Sequence, residues 1–264
     1  MKNVDVKKLL VFIIIVALLV LAVLGLGKLL GKGGKPSKDV QKEVDTLTTK
    51  YFTSITYGYA TEFDGTDVLF SKDKTTYDDL NAAAIVNVAI RYAEDNGIDI
   101  SVTDAQQKIL KAHYGEEAPA YKGEGVRKAV KILFDKDLAK AKAEGLLNYK
   151  YDYLYDADTD TYSQFKNKNY SSGIRNESIN VETKILETTT KGDNLYVTLI
   201  AAYVLSQEGT RIYYSDPAGL NDSRVGETKE DDFLPNKDDS FQKYTMTLKK
   251  TSDGYAFESI EKVK

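Results

Sequence analysis

Three carboxylates at alternate positions, Asp156, Asp158 and Asp160, are the densest chemistry in this sequence. Such a D-x-D-x-D run can turn its oxygens onto one hard cation, and calcium is the cofactor it would take. A calcium loop of the EF-hand kind needs Gly at position six and a bidentate Glu at position twelve, to make the sharp turn and close the shell. Thr161 and Asn167 occupy those positions. That leaves an irregular calcium turn set against a plainer reading, a solvated hairpin turn, where Asp is common because its side chain bonds the local backbone. Immediately before it, Tyr149, Tyr151, Tyr153 and Tyr155 alternate with Lys150, Asp152, Leu154 and Asp156. On a strand this puts four rings on one face, either an exposed platform for a ligand such as a sugar or peptide, or core with hydroxyls at its rim. The core or cleft-lining reading is the simpler one, because tyrosine is the default aromatic here: 19 Tyr, 9 Phe and no Trp.

Other chemistries are excluded by composition. The chain has no Cys and one His, His113, so disulfides, thiolate nucleophiles, cysteine-ligated metals and multi-histidine sites are ruled out. His113 lies near the end of a predicted helix, where a cationic ring complements the helix dipole. As a catalytic base it would need a nucleophile and an orienting group, and no G-x-S-x-G supplies one. No Walker A or dinucleotide-binding glycine pattern occurs, so no catalytic residue is assigned. Acidic residues are plentiful enough that a pair suited to glycoside hydrolysis carries little information.

Four amphipathic helices are expected before these residues. Ser37 can cap a helix with Val40, Val44, Leu47, Tyr51 and Ile55 at three- to four-residue spacing. Thr76–Asp79 resembles a capping box opening a helix with Leu80, Ala84, Val88 and Tyr92 on its stripe, ending at Asn96-Gly97. Thr103–Gln106 is a second capping box, before a short helix ending at Gly115. A last helix is expected from Gly125 to Glu144, with Gly145 after it. The period then drops from 3.6 to 2. Strands are expected at 149–155, 162–165, 179–185, 195–205, 210–214, 241–250 and 255–263. Leu195 to Leu205 is apolar on both parities, the mark of a central strand covered on both faces. Residues 215–240 hold eight acids and three bases and show no helix or strand pattern.

Leu9 to Gly27 carry neither charge nor polar side chain. At about 1.5 Å per residue this run spans roughly 28 Å, close to the hydrocarbon thickness of a bilayer. It is longer than a signal-peptide core and is not followed by a small-x-small site, so an uncleaved single-pass anchor is expected. Lysines flank both ends nearly equally, and the positive-inside rule does not decide orientation. The short N-terminal flank favours a signal anchor with an extracytoplasmic domain at the cell membrane. Residues 1–38 hold seven Lys and one Asp, a net of +6; the whole chain is −4, so residues 39–264 carry −10. Nucleic acid is therefore not an expected partner.

The organisation so read is a flank and anchor (1–30), a flexible Gly/Lys linker (31–37) and an α+β domain (38–264). The domain is helical over 38–145 and antiparallel β over 146–264, with the helices packed on a curved sheet. That element order resembles NTF2-like or cystatin-like domains. The tract Tyr244–Ile260, YTMTLKKTSDGYAFESI, resembles the closing hairpin of uncharacterised single-pass membrane-anchored proteins of low-GC Gram-positive bacteria. An ordered composition, an anchor and no recognisable catalytic set point to a non-catalytic, extracytoplasmic binding or assembly module, with a protein or peptide as candidate partner besides the bilayer. The alternatives are a carboxylate-dependent cell-wall glycan enzyme and a cytoplasm-facing accessory subunit of a membrane complex.

Overall fold

A computed structural model describes residues 34–53, 69–70, 72–80, 82–115, 117–138, 145–148, 151–166, 178–207, 209–215, 224–229 and 241–263. The expected anchor at 9–27 and Tyr149 lie outside the described residues. Among the described residues no helix is long and apolar enough to cross a membrane.

The chain is α+β, with helices and antiparallel sheets. Helix α1 (Lys38–Thr46) is capped by the Ser37 hydroxyl, which accepts from the Val40 N–H. It runs directly into a π-helical stretch, Leu47–Phe52, that buries Leu47, Thr48, Tyr51 and Phe52 together. Strand β1 (Lys74–Thr76) leads into a 3₁₀ turn, Tyr77–Asp79. The Thr76/Asp79 capping box forms, but on this turn. Leu80 is extended, and α2 (Ala82–Asp95) starts afresh. Helix α3 (Asp104–Tyr114) carries the expected Thr103/Gln106 box and ends on a left-handed Gly115. Strand β2 (Ala120–Lys122) precedes α4 (Gly123–Phe134). Helix α4 stops ten residues short of the expected Glu144. Asp135 adopts φ 49°, a left-handed geometry that Asp tolerates, and its N–H closes on the Lys131 carbonyl. Gly145, expected after the helix, instead begins a strand.

The strands form two sheets where one was expected. The smaller has the order β2-β5-β4-β3, with β3 at Gly145–Asn148, β4 at Tyr151–Asp156 and β5 at Thr161–Lys166. The larger holds β6 (Ser178–Lys191), β7 (Asn194–Gln207), β8 (Thr210–Tyr214), β9 (Arg224–Lys229), β10 (Lys243–Thr251), β11 (Gly254–Lys262) and β1. Strand β6 lines one edge of β7 throughout. On the other edge β10 pairs with residues 194–200 and β8 with 203–207. Strand β9 lies in the segment that shows no strand pattern in the sequence; it is held by β8.

This arrangement accounts for the double apolar parity of β7. Leu195, Val197, Leu199, Ala201 and Tyr203 join the main core with Val44, Phe52, Val88, Val130, Phe134, Met246 and Phe257 from the helices and neighbouring strands. Ile200, Ala202 and Val204 face a second cluster with Tyr213 and Phe241. The linker is stitched down at its end, where Gly34 and Thr190 exchange backbone hydrogen bonds of 3.2 and 2.9 Å.

Candidate functional site

The β4–β5 turn carries the three aspartates, and the structure sends them in three directions. Asp156 is 6% exposed. One of its oxygens accepts from the Thr159 N–H (2.9 Å) and hydroxyl (2.8 Å), an Asp-led turn; the other meets His113 Nδ1 at 2.7 Å and the Tyr114 hydroxyl at 3.3 Å. Asp160 turns the opposite way and takes a two-pronged salt bridge from Arg127 on α4, at 2.8 and 2.7 Å. The Tyr155 hydroxyl also donates to it at 2.7 Å. Asp158 is 80% exposed and approaches only His113 Nε2, at 3.8 Å. Among the described residues no group of three His, Cys, Asp or Glu gathers to hold a metal ion. The turn is therefore a clasp between α3 and α4. Gln106 of α3 donates to the Thr159 carbonyl (2.9 Å), and the Gly123 N–H at the start of α4 donates to the Asp160 carbonyl (2.7 Å). A Cβ on Gly123 would come within 2.8 Å of that carbonyl, so the approach needs glycine.

The electrostatics follow from these contacts. The hydrogen bond to Asp156 raises the His113 pKa against a smaller burial effect, and the Asp156 and Asp158 charges add to the rise. Burial pushes the Asp156 carboxyl up, but the hydrogen bonds from His113 and Thr159 outweigh it and hold the group below its usual range. Burial, with the bond to Asp160, pushes the Tyr155 hydroxyl up to about 12.

The tyrosine row is turned into the protein where it is described. Tyr153 is buried. Its hydroxyl donates to Asn87 of α2 at 2.9 Å and accepts from Gln164 at 2.8 Å. Tyr155 is partly buried against Tyr162, ring centres 5.1 Å apart. Tyr151 begins the same strand, opposite Lys166 in the register.

A cleft of about 360 Å³ opens elsewhere, where α1 and its π-helical extension, the ends of α2 and α4, and the β10–β11 turn meet. Tyr51, Tyr92 and Tyr255 line it with Leu47 and Ile132, and Asp39, Glu43, Asp253 and Lys42 add charge. Tyr51 and Tyr92 stack edge to face at 5.1 Å. The Tyr51 hydroxyl donates to Asp95 at 2.9 Å, and Lys50 pairs with Asp95 at 2.8 Å while standing 5.5 Å from the Tyr51 ring centre. Its size falls in the range of small-ligand pockets, and its mix of aromatic wall and few polar groups is theirs too. The sequence marks Tyr51 and Tyr92 only as core-stripe positions. Nothing local relates them to Glu43 or to a hairpin turn two hundred residues on. A wider trough of about 1280 Å³ runs between α1 and β6 and is open to solvent.

Compared with known proteins, the chain matches no family model, no curated protein and no solved structure.

Proposed function

We propose that this chain is a membrane-tethered, non-catalytic binding or assembly module. Residues 9–27 pass once through the bilayer, and the acidic domain stands on the extracytoplasmic side with its helices laid on a curved sheet, in the manner of NTF2-like or cystatin-like domains. The observation that carries the reading is the tyrosine-walled cleft beside α1. The helix that follows the tether forms one of its walls, so a ligand there is held close to the membrane. The test is protease added to intact, wall-stripped cells, followed by intact-mass measurement. Digestion of the domain with retention of a fragment containing residues 9–27 is the expected result. Protection until lysis would place the domain in the cytoplasm and favour an accessory subunit of a membrane complex.

The three carboxylates of the cleft favour a second reading, a carboxylate-dependent enzyme acting on a wall glycan. Release of reducing sugar from purified wall by the full chain, lost in Glu43→Gln, would establish it in place of the first.

A further inference from the structure

We propose that the cleft between α1, α2, α4 and the β10–β11 turn binds an organic ammonium ion, with methylated nitrogen preferred to bare. This deepens the binding-module reading and rests on it.

Three observations converge on a cation. The walls are aromatic: Tyr51, Tyr92 and Tyr255 line one cavity, with Leu47 and Ile132 completing an apolar surround. Ring faces attract cations through their quadrupole, and cages of several rings suit quaternary ammonium groups. Charge is complementary, since Asp39, Glu43 and Asp253 stand against Lys42 alone. Among the described residues, no cation pairs with Asp39, Glu43 or Asp253. Their field reaches the wall: burial, the neighbouring Tyr51 and the charges of Glu43 and Asp253 raise the Tyr92 hydroxyl. Thirdly, the protein already makes such a contact beside the cleft. Lys50 stands over the Tyr51 ring while Asp95 holds it.

Methylated nitrogen is preferred because the cleft has few groups to replace a bare ammonium's water. The Tyr51 hydroxyl is engaged with Asp95, and aliphatic and aromatic carbon forms most of the wall. A methylated nitrogen is weakly hydrated and loses little on entering such a site.

Glu43 is the position to perturb. Its carboxylate lies against the hairpin turn, 2.6 Å from where a Cβ on Gly254 would stand, and Gly254 has φ 122°. The turn and Glu43 thus meet at the cleft, and the positive φ of Gly254 favours glycine there.

The experiment is saturation-transfer NMR on the full chain in nonionic detergent, against a detergent blank, with choline chloride as probe. Its uncharged isostere 3,3-dimethylbutanol and its unmethylated analogue ethanolamine serve as comparisons. We expect choline to bind about tenfold or more tightly than either, a difference of about 1.4 kcal/mol. Glu43→Gln, an exposed change that leaves the core intact, should weaken choline severalfold, and Tyr92→Leu should abolish the preference for charge. Equal binding of choline and dimethylbutanol, no saturation by choline at tens of millimolar, or unchanged binding in Glu43→Gln would overturn the proposal. If choline fails while protease still digests the domain from outside, the cation falls and the tethered module stands. Domain protection would remove the module even if choline bound.

Discussion

Replacing Asp156 separates a structural clasp from a cation site. Asp156→Ala removes the acceptor of two Thr159 bonds, and Thr159 is itself buried, so its N–H loses its partner inside the protein while its hydroxyl keeps only the Thr161 hydroxyl, 2.8 Å away. Leaving a buried donor unpaired costs about 1–3 kcal/mol. The orphaned N–H and the lost hydroxyl bond, less the gain from no longer burying a carboxylate, come to roughly 2–3 kcal/mol. The partly exposed His113 loses an orienting bond and adds little. At roughly 2–4 °C per kcal/mol for a chain of this size, the unfolding midpoint should drop by about 5–10 °C. Asp156→Asn keeps an oxygen toward Thr159 and should recover about half of that. Asp158→Asn, at a side chain 80% exposed, should move the midpoint within about 0.5 kcal/mol of zero. Calcium in millimolar excess should leave all four proteins unmoved. Scanning calorimetry of the full chain with and without calcium reads every arm. Equal losses in Asp156→Asn and Asp158→Asn, with a calcium-dependent rise in the wild type alone, would refute the clasp and reinstate the convergent cation turn.

Leu199 is fully buried at the centre of β7, and Leu199→Ala should cost about 2–5 kcal/mol by denaturant titration. Gly125→Ala should cost about 1–3 kcal/mol, because the new Cβ would stand 2.1 Å from the Asp99 carbonyl oxygen and α4 would have to move off the 99–100 segment. The His113 contact makes stability depend on pH. With His113 raised above its ordinary 6.5, the contribution is present below that value and lost as pH rises through the raised one. With Asp156 held below its ordinary 3.8, the contribution is present above 3.8 and lost as pH falls through the lowered value. The midpoint difference between wild type and His113→Gln should therefore be widest between pH 4 and 6.5, and should shrink on either side. A difference that grows with rising pH would contradict the pairing.

What the sequence made legible is what short-range chemistry decides. The switch from period 3.6 to period 2 near residue 146 locates the long strands. The double parity of Leu195–Leu205 marks a strand paired along both edges and covered on both faces. The Thr103/Gln106 box forms as written, because its partners are three residues apart. What it hid depends on distant neighbours. Strands β1 and β2 have three residues each, too few to show a period, yet β2 gives the tyrosine hairpin its own sheet. The π-helical stretch after α1 buries both Tyr51 and Phe52, consecutive residues that no local pattern marks as a pair. The aspartates were readable as a turn or as a cation loop, and both readings start from the same local geometry. What neither reading contains is the pairing of Asp156 with His113 and of Asp160 with Arg127, 43 and 33 residues away. The cleft goes one step further. Its walls come from four segments between Asp39 and Tyr255, each ordinary in sequence. Its chemistry exists only because the fold brings the β10–β11 turn, with Asp253 and Tyr255, against Glu43 of α1 and the tyrosines of its helices.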